Sequence, residues 1–85
     1  MRVLTLYTRP GCHLCEEAER TLRRVCAEIA VELRVCDIEA DEALHRAYLE
    51  RIPVVALDGE ELFEYHVDAE ALRARLALGG SAAHL

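Results

Sequence analysis

Two cysteines stand three residues apart in Thr8-Arg9-Pro10-Gly11-Cys12-His13-Leu14-Cys15, after an apolar run and before a stretch of helix-forming residues. The spacing admits a redox pair, half of a metal site, or two buried thiols. A cysteine at a helix start meets unpaired backbone N–H groups and the positive end of the helix dipole. Both favour a thiolate and lower its pKa below the free value of about 8.5. Cys12 holds that position. Cys15 lies one turn later on the same face, close enough to close a small disulfide ring and deeper toward the core. The pattern therefore casts Cys12 as the attacking thiol and Cys15 as the resolving one.

The neighbours carry charge. His13 can donate a hydrogen bond or a positive charge to the Cys12 thiolate, or stand as an exposed first-turn residue. Arg9 can draw an acidic substrate or serve as an ordinary solvated arginine. Glu16 and Glu17 suit a helix start but oppose an adjacent thiolate. A structural zinc site needs four ligands, usually with a second close pair. Cys26, Cys36, His45 and His66 are scattered singly, so no metal is expected.

The elements that must position this pair can be read from periodicity. Val3 to Tyr7 forms a short apolar run ended by Arg9-Pro10-Gly11, a buried strand closed by a turn. From Cys15 the apolar positions Ala18, Leu22, Val25, Cys26 and Ile29 recur at helical spacing, which makes Cys26 a small core residue. Val31, Leu33 and Val35 alternate with Glu32, Arg34 and Cys36, predicting a second strand with Val35 inward and Cys36 on the opposite face. Asp41 can cap a short helix whose apolar face is Leu44, Ala47 and Tyr48. Ile52 to Leu57 reads as a third strand, and Asp58-Gly59 as a two-residue hairpin turn into Glu61 to Tyr65. Asp68 caps a last helix, with Val67 and Leu72 as a hydrophobic staple and Gly79 as its stop. Tyr7 and Tyr65 are expected to pack, and Arg73 and Arg75 to form a solvated face with the local glutamate.

The order is βαβαββα: an α/β chain with a four-stranded mixed sheet, flanking helices and no repeats. One domain spans 1–78, and 79–85 forms a loose tail.

Composition narrows the partners. The 85 residues hold 10 basic and 16 acidic side chains, a net charge of −6, which opposes binding to a phosphate backbone. With 53% apolar residues a compact core is feasible. The amino-terminal apolar run is too short for a signal peptide, and no stretch reaches membrane-spanning length. A cytoplasmic monomer acting on neither nucleic acid nor membrane is expected.

Pro53 is the second informative residue, since a proline at a strand start gives up a ladder hydrogen bond. Tyr7-Thr8-Arg9-Pro10-Gly11-Cys12-His13-Leu14-Cys15 followed by Arg51-Ile52-Pro53-Val54-Val55 resembles the glutaredoxin branch of the thioredoxin-like superfamily, over about residues 2 to 78. It is especially similar to small bacterial glutaredoxin-like proteins. The resemblance implies a thioredoxin-like fold, a cis Pro53 packed beside Cys12, and Ile52 offering backbone groups to an extended substrate. It further implies a thiol–disulfide oxidoreductase with no bound cofactor, acting on a disulfide-containing protein or small thiol, with glutathione or a thioredoxin reductase as electron donor. A non-catalytic binding module that recognises an extended partner segment beside Ile52-Pro53 is the alternative.

Two departures from the family pattern stand out. Between the cysteines lie His13-Leu14 in place of the Pro-Tyr of common dithiol glutaredoxins. Phe63 and Glu64 fall where glutaredoxins place a glycine pair, putting bulk and negative charge where glutathione enters, which implies weak glutathione binding.

Overall fold

The computed structural model describes residues 2–82. Strands β1 (Val3–Thr8), β2 (Glu32–Asp37), β3 (Val54–Leu57) and β4 (Glu60–Glu64) form one sheet in the order β2-β1-β3-β4. Helix α1 (His13–Glu28) carries the chain from β1 to its parallel neighbour β2. A 3-10 turn at Ile38–Ala40 and helix α2 (Glu42–Tyr48) precede β3, which runs antiparallel to both β1 and β4, and α3 (Ala69–Ala82) closes the fold. This is a thioredoxin-like α/β architecture.

Local chemistry accounts for the turns. Asp58 and Gly59 take φ of 49° and 91°, positive at both central positions as a type I′ hairpin requires. Asp58 is also fastened to β1: its N–H donates to the Val3 carbonyl at 2.8 Å, and its carboxylate accepts the Val3 N–H at 2.9 Å. Asp41 caps α2 by accepting the N–H groups of Ala43 and Leu44, and Asp68 caps α3 through those of Glu70 and Ala71. The staple residues Val67 and Leu72 are both buried in the main core.

That core lies on one face of the sheet. Leu4 and Leu6 of β1 and Val55 and Leu57 of β3 meet Ala18, Leu22 and Val25 of α1 and Leu72 and Leu76 of α3. A smaller cluster of Cys15, Ile38 and Ile52, with Tyr7, Cys12, Leu44 and Tyr48 packed on it, contains the cysteine pair.

Five expectations are corrected. Val35 is 43% exposed, because β2 is an edge strand, whereas Leu33 packs on the core. Ala47 is exposed, and α2 buries no residue fully. Tyr65 is 50% exposed and does not pack inward. Arg73 and Arg75 bind across elements: Arg73 reaches Glu28 of α1 at 2.8 Å as well as Glu70, and Arg75 holds Glu60 of β4. Helix α3 passes Gly79 and runs to Ala82, where the sequence suggested a tail. Glycine weakens a helix, but it stops one only when it takes the left-handed cap, and no proline follows here. Of the expected tail, residues 83–85 lie outside the described residues.

Candidate redox site

The turn that delivers the pair is built by Pro10 and Gly11. Proline presets φ for the first central position, and Gly11 at φ +77° takes the left-handed second position that a side chain would strain. The chain then enters α1 with Cys12 as its N-cap residue, at φ −94° and ψ 108°. The Cys15 N–H donates to the Cys12 Sγ at 3.2 Å. The sulfur thus takes the place of the usual oxygen acceptor for one of the free N–H groups of the first turn.

Cys12 and Cys15 are joined as a disulfide, with their Cα atoms 5.2 Å apart. Their environments differ: Cys15 is 1% exposed, whereas Cys12 is half-buried at the mouth of the turn. Cys26 and Cys36 are free and half-buried. Cys26 packs against the main core, and burial pushes its thiol pKa up, opposed in part by Arg23.

The Ile52–Pro53 peptide bond is cis, and Pro53 is fully buried. Ile52 shares the small cluster with Cys12 and Cys15. Its N–H is already engaged, donating to the Tyr48 carbonyl at 3.1 Å. Of the backbone groups that Ile52 is expected to offer a substrate, the N–H is thus taken up by the last turn of α2.

Both cations expected near the pair are engaged by carboxylates. His13 projects into solvent and pairs through Nε2 with Glu17 at 2.9 Å, the i,i+4 geometry of a helix surface. Arg9 pairs with Glu39 at 3.3 Å. Among the described residues no group of three or more His, Cys, Asp or Glu is placed to hold a metal.

The sequence reading missed a second layer behind the site. Tyr7 and Tyr48 stack with ring centroids 4.3 Å apart and planes 14° from parallel. Arg51 lies over the Tyr48 ring at 5.2 Å and bonds both Glu61 and Glu64 of β4. Its pKa is raised by those hydrogen bonds, Glu61 first. The Tyr48 pKa is also raised, chiefly by burial and then by Tyr7 and Glu61, so it remains a phenol. The Tyr65 hydroxyl donates to the Glu50 carbonyl, and the Tyr65 N–H donates to that of Pro53 at 2.8 Å. The segment before Pro53 is thus pinned to β4 from several sides. The proximity of Tyr48 and Arg51 to Pro53 was visible in the sequence, but the partners across the sheet were not.

Phe63 also departs from expectation. Its ring packs against the main core opposite Val55, and so contributes to the hydrophobic interior instead of filling an entrance. Glu64 keeps its place at the end of β4, but its carboxylate is held by Arg51.

With this geometry established, comparison with known proteins is decisive. Residues 3–77 match the Glutaredoxin-like domain (DUF836) family. The chain belongs to this glutaredoxin-like family. It is similar to a Nitrosomonas europaea protein solved by solution NMR, Ne2328, with 39% identity and a TM-score of 0.75, covering 88% of this chain and 91% of the other. It is also similar to the X. campestris protein XcR50, solved by X-ray methods, with 40% identity and a TM-score of 0.72, covering 87% of this chain and 95% of the other. An uncharacterized Mycobacterium tuberculosis protein is 31% identical over 77 residues, 85% of this chain and 79% of that one. A thioredoxin variant from Halobacterium salinarum is 25% identical with a TM-score of 0.67, covering 88% and 71%. A glutaredoxin-like fold with a CxxC pair at disulfide distance supports redox-type chemistry for this glutaredoxin-like protein.

Proposed function

We propose that this glutaredoxin-like protein is a thiol–disulfide oxidoreductase in which Cys12 is the nucleophile and Cys15 resolves. The observation that carries this reading is the Cys12 Sγ acting as N-cap of α1 while bonded to the buried Cys15. The N–H that meets the sulfur in the disulfide is available to stabilise a thiolate at the same atom once the disulfide is reduced.

In the reduced protein, the Cys12 thiolate attacks one sulfur of a substrate disulfide and expels the other as a thiolate, forming a mixed disulfide at Cys12. Cys15 loses its proton to solvent or to the departing thiolate and attacks the Cys12 sulfur. The second substrate thiol leaves, and two electrons have passed from the protein to the substrate. The electrons return by the same exchange in reverse, from two glutathione molecules in succession, released as glutathione disulfide, or from the dithiol of a flavoprotein thioredoxin reductase. The substrate is a disulfide-containing protein or the disulfide form of a small thiol, met in the cytoplasm by a monomer.

Cys15→Ser tests the division of labour. It should leave attack intact and remove resolution, so a mixed disulfide with a peptide substrate accumulates and is visible as an added mass on Cys12. Cys12→Ser should trap nothing. Equal trapping by both variants would contradict the assignment.

A further inference from the structure

Tyr65 adopts a backbone conformation that its own packing does not account for. Its φ is +66°, in the left-handed region that a bulky side chain disfavours. The His66 N–H donates to the Glu64 carbonyl at 2.6 Å, closing a three-residue turn with Tyr65 at its centre. With positive φ at that centre the turn is the rarer and more strained of the two γ forms. The ring is 50% exposed, so burial offsets little of this cost. A glycine would take the same φ freely and keep the same backbone bonds.

What only the tyrosine supplies is its hydroxyl. That group donates to the Glu50 carbonyl, while the Tyr65 N–H donates to the Pro53 carbonyl at 2.8 Å. One residue thus holds both ends of the segment Glu50-Arg51-Ile52-Pro53. Between those ends the N–H groups of Arg51 and Ile52 both donate to the Tyr48 carbonyl, at 2.8 and 3.1 Å, and the Arg51 guanidinium binds Glu61 and Glu64. The held segment lies against the cysteine pair, because Ile52 packs in one cluster with Cys12 and Cys15. Tyr65 also borders a cleft of about 50 Å³ with Leu14, which stands between the two cysteines in sequence.

We propose that Tyr65 is a positioning residue for polypeptide disulfides: its hydroxyl keeps segment 50–53 in the shape along which the substrate backbone lies while Cys12 attacks. The inference rests on the oxidoreductase reading above and names extended polypeptides as the substrates that need this residue. A strained residue held beside a reactive centre by the bonds around it is the pattern expected where shape, and not stability, is served.

The size of the effect follows from preorganisation. A hydrogen bond of ordinary net worth changes the population of the held shape by about fivefold. Apparent affinity falls in proportion to the binding-competent fraction. A small disulfide that meets only the Cys12 sulfur does not draw on that shape.

The test compares Tyr65→Phe with wild type on two substrates, a disulfide-linked pair of uncharged linear peptides and hydroxyethyl disulfide. Reduced protein is used in excess over each, and second-order rate constants are taken from the dependence on protein concentration. For the peptide the constant should fall about fivefold, and for hydroxyethyl disulfide it should change by less than about twofold. The pH profile of Cys12 alkylation should match wild type. A role in supporting the fold alone would instead slow both substrates alike. Tyr65→Gly relieves the backbone but lacks the hydroxyl, so its peptide defect should be at least as large as that of Tyr65→Phe. Equal losses on both substrates, an unchanged peptide constant in Tyr65→Phe, or a wild-type peptide constant in Tyr65→Gly would overturn the positioning role and leave the oxidoreductase reading standing. Wild-type protein that reduces neither substrate would overturn the oxidoreductase reading, and this proposal with it.

Discussion

The N–H of Cys15 donates to the Sγ of Cys12 at 3.2 Å, so the cap that starts α1 and the less buried sulfur of the disulfide are one atom. Helix formation and thiolate stabilisation are served by the same hydrogen bond. A negative charge on this sulfur would lie at the end of α1 where the helix dipole favours it.

The first prediction concerns thiol order. In the reduced protein Cys12 should be alkylated first, and at a pH below the ordinary range for thiols near 8.5. Cys15, 1% exposed, should lag far behind. Mass-spectrometric mapping of a timed iodoacetamide reaction between pH 5 and 9 checks this, and earlier labelling of Cys36 or Cys26 would count against Cys12 as nucleophile.

Cys26 should behave in the opposite way. Burial raises its pKa, so its thiolate forms only at more alkaline pH than in the unfolded chain. A raised folded pKa gives a stability contribution that is complete below the unfolded value and is lost as pH rises through the folded one. Cys26→Ala should therefore flatten the alkaline limb of a plot of Tm against pH. An unchanged limb would show that other groups set it.

The acid limb belongs to different pairs. The hydrogen bond from Arg73 lowers the Glu28 pKa, and that from Arg75 lowers the Glu60 pKa. Depressed carboxyl pKa values contribute stability above the unfolded value, and the contribution is lost as pH falls through the folded one. Removing both arginines, as Arg73→Ala with Arg75→Ala, should lower Tm by a few degrees at pH 7 and have little effect near pH 2, where wild type has already lost these contacts. Both pairs are exposed, so the effect should also shrink with added salt.

Glutathione-dependent turnover should be weak, for a reason that the structure has relocated. Phe63 supports the core and Ile52 has no free N–H to offer, so neither the ring nor a simple loss of glycine explains the weakness. Phe63→Gly should destabilise the fold by about 2 kcal/mol, a value below that of a fully buried phenylalanine. Glu64→Gln should keep the fold and raise turnover, because it opens Arg51 to a carboxylate. A glutathione reductase-coupled assay reads both variants, and efficient turnover by the unaltered protein would contradict this prediction.

Much of this was legible in the sequence, because much of it is local. Asp58-Gly59 specifies its turn by backbone sterics, Asp41 and Asp68 cap the helices that follow them, and the position of Cys12 at the start of α1 follows from Pro10-Gly11 and the apolar period after it. What could not be read depends on which strands become neighbours. Val35 alternates correctly for an inward residue, yet it lies on an edge strand without cover. The Tyr7–Tyr48 stack joins residues 41 apart, and Arg51 finds its glutamates across a hairpin. The buried Ile38 sits in a 3-10 turn of three residues, too short to show a period. His13 followed helix geometry to Glu17 instead of turning toward the sulfur, a choice between partners that its position alone leaves open.

The central claim, that the pair turns over and does not merely mark a docking surface, is tested most directly by a single-turnover titration. Fully reduced protein is mixed with one equivalent of a peptide disulfide whose flanking residues are uncharged, quenched with acid at intervals, and its thiols are counted and mapped. The account predicts release of two peptide thiols for every Cys12–Cys15 disulfide formed, with Cys26 and Cys36 remaining free. Peptide bound while all four cysteines stay reduced would contradict it and identify a binding module instead.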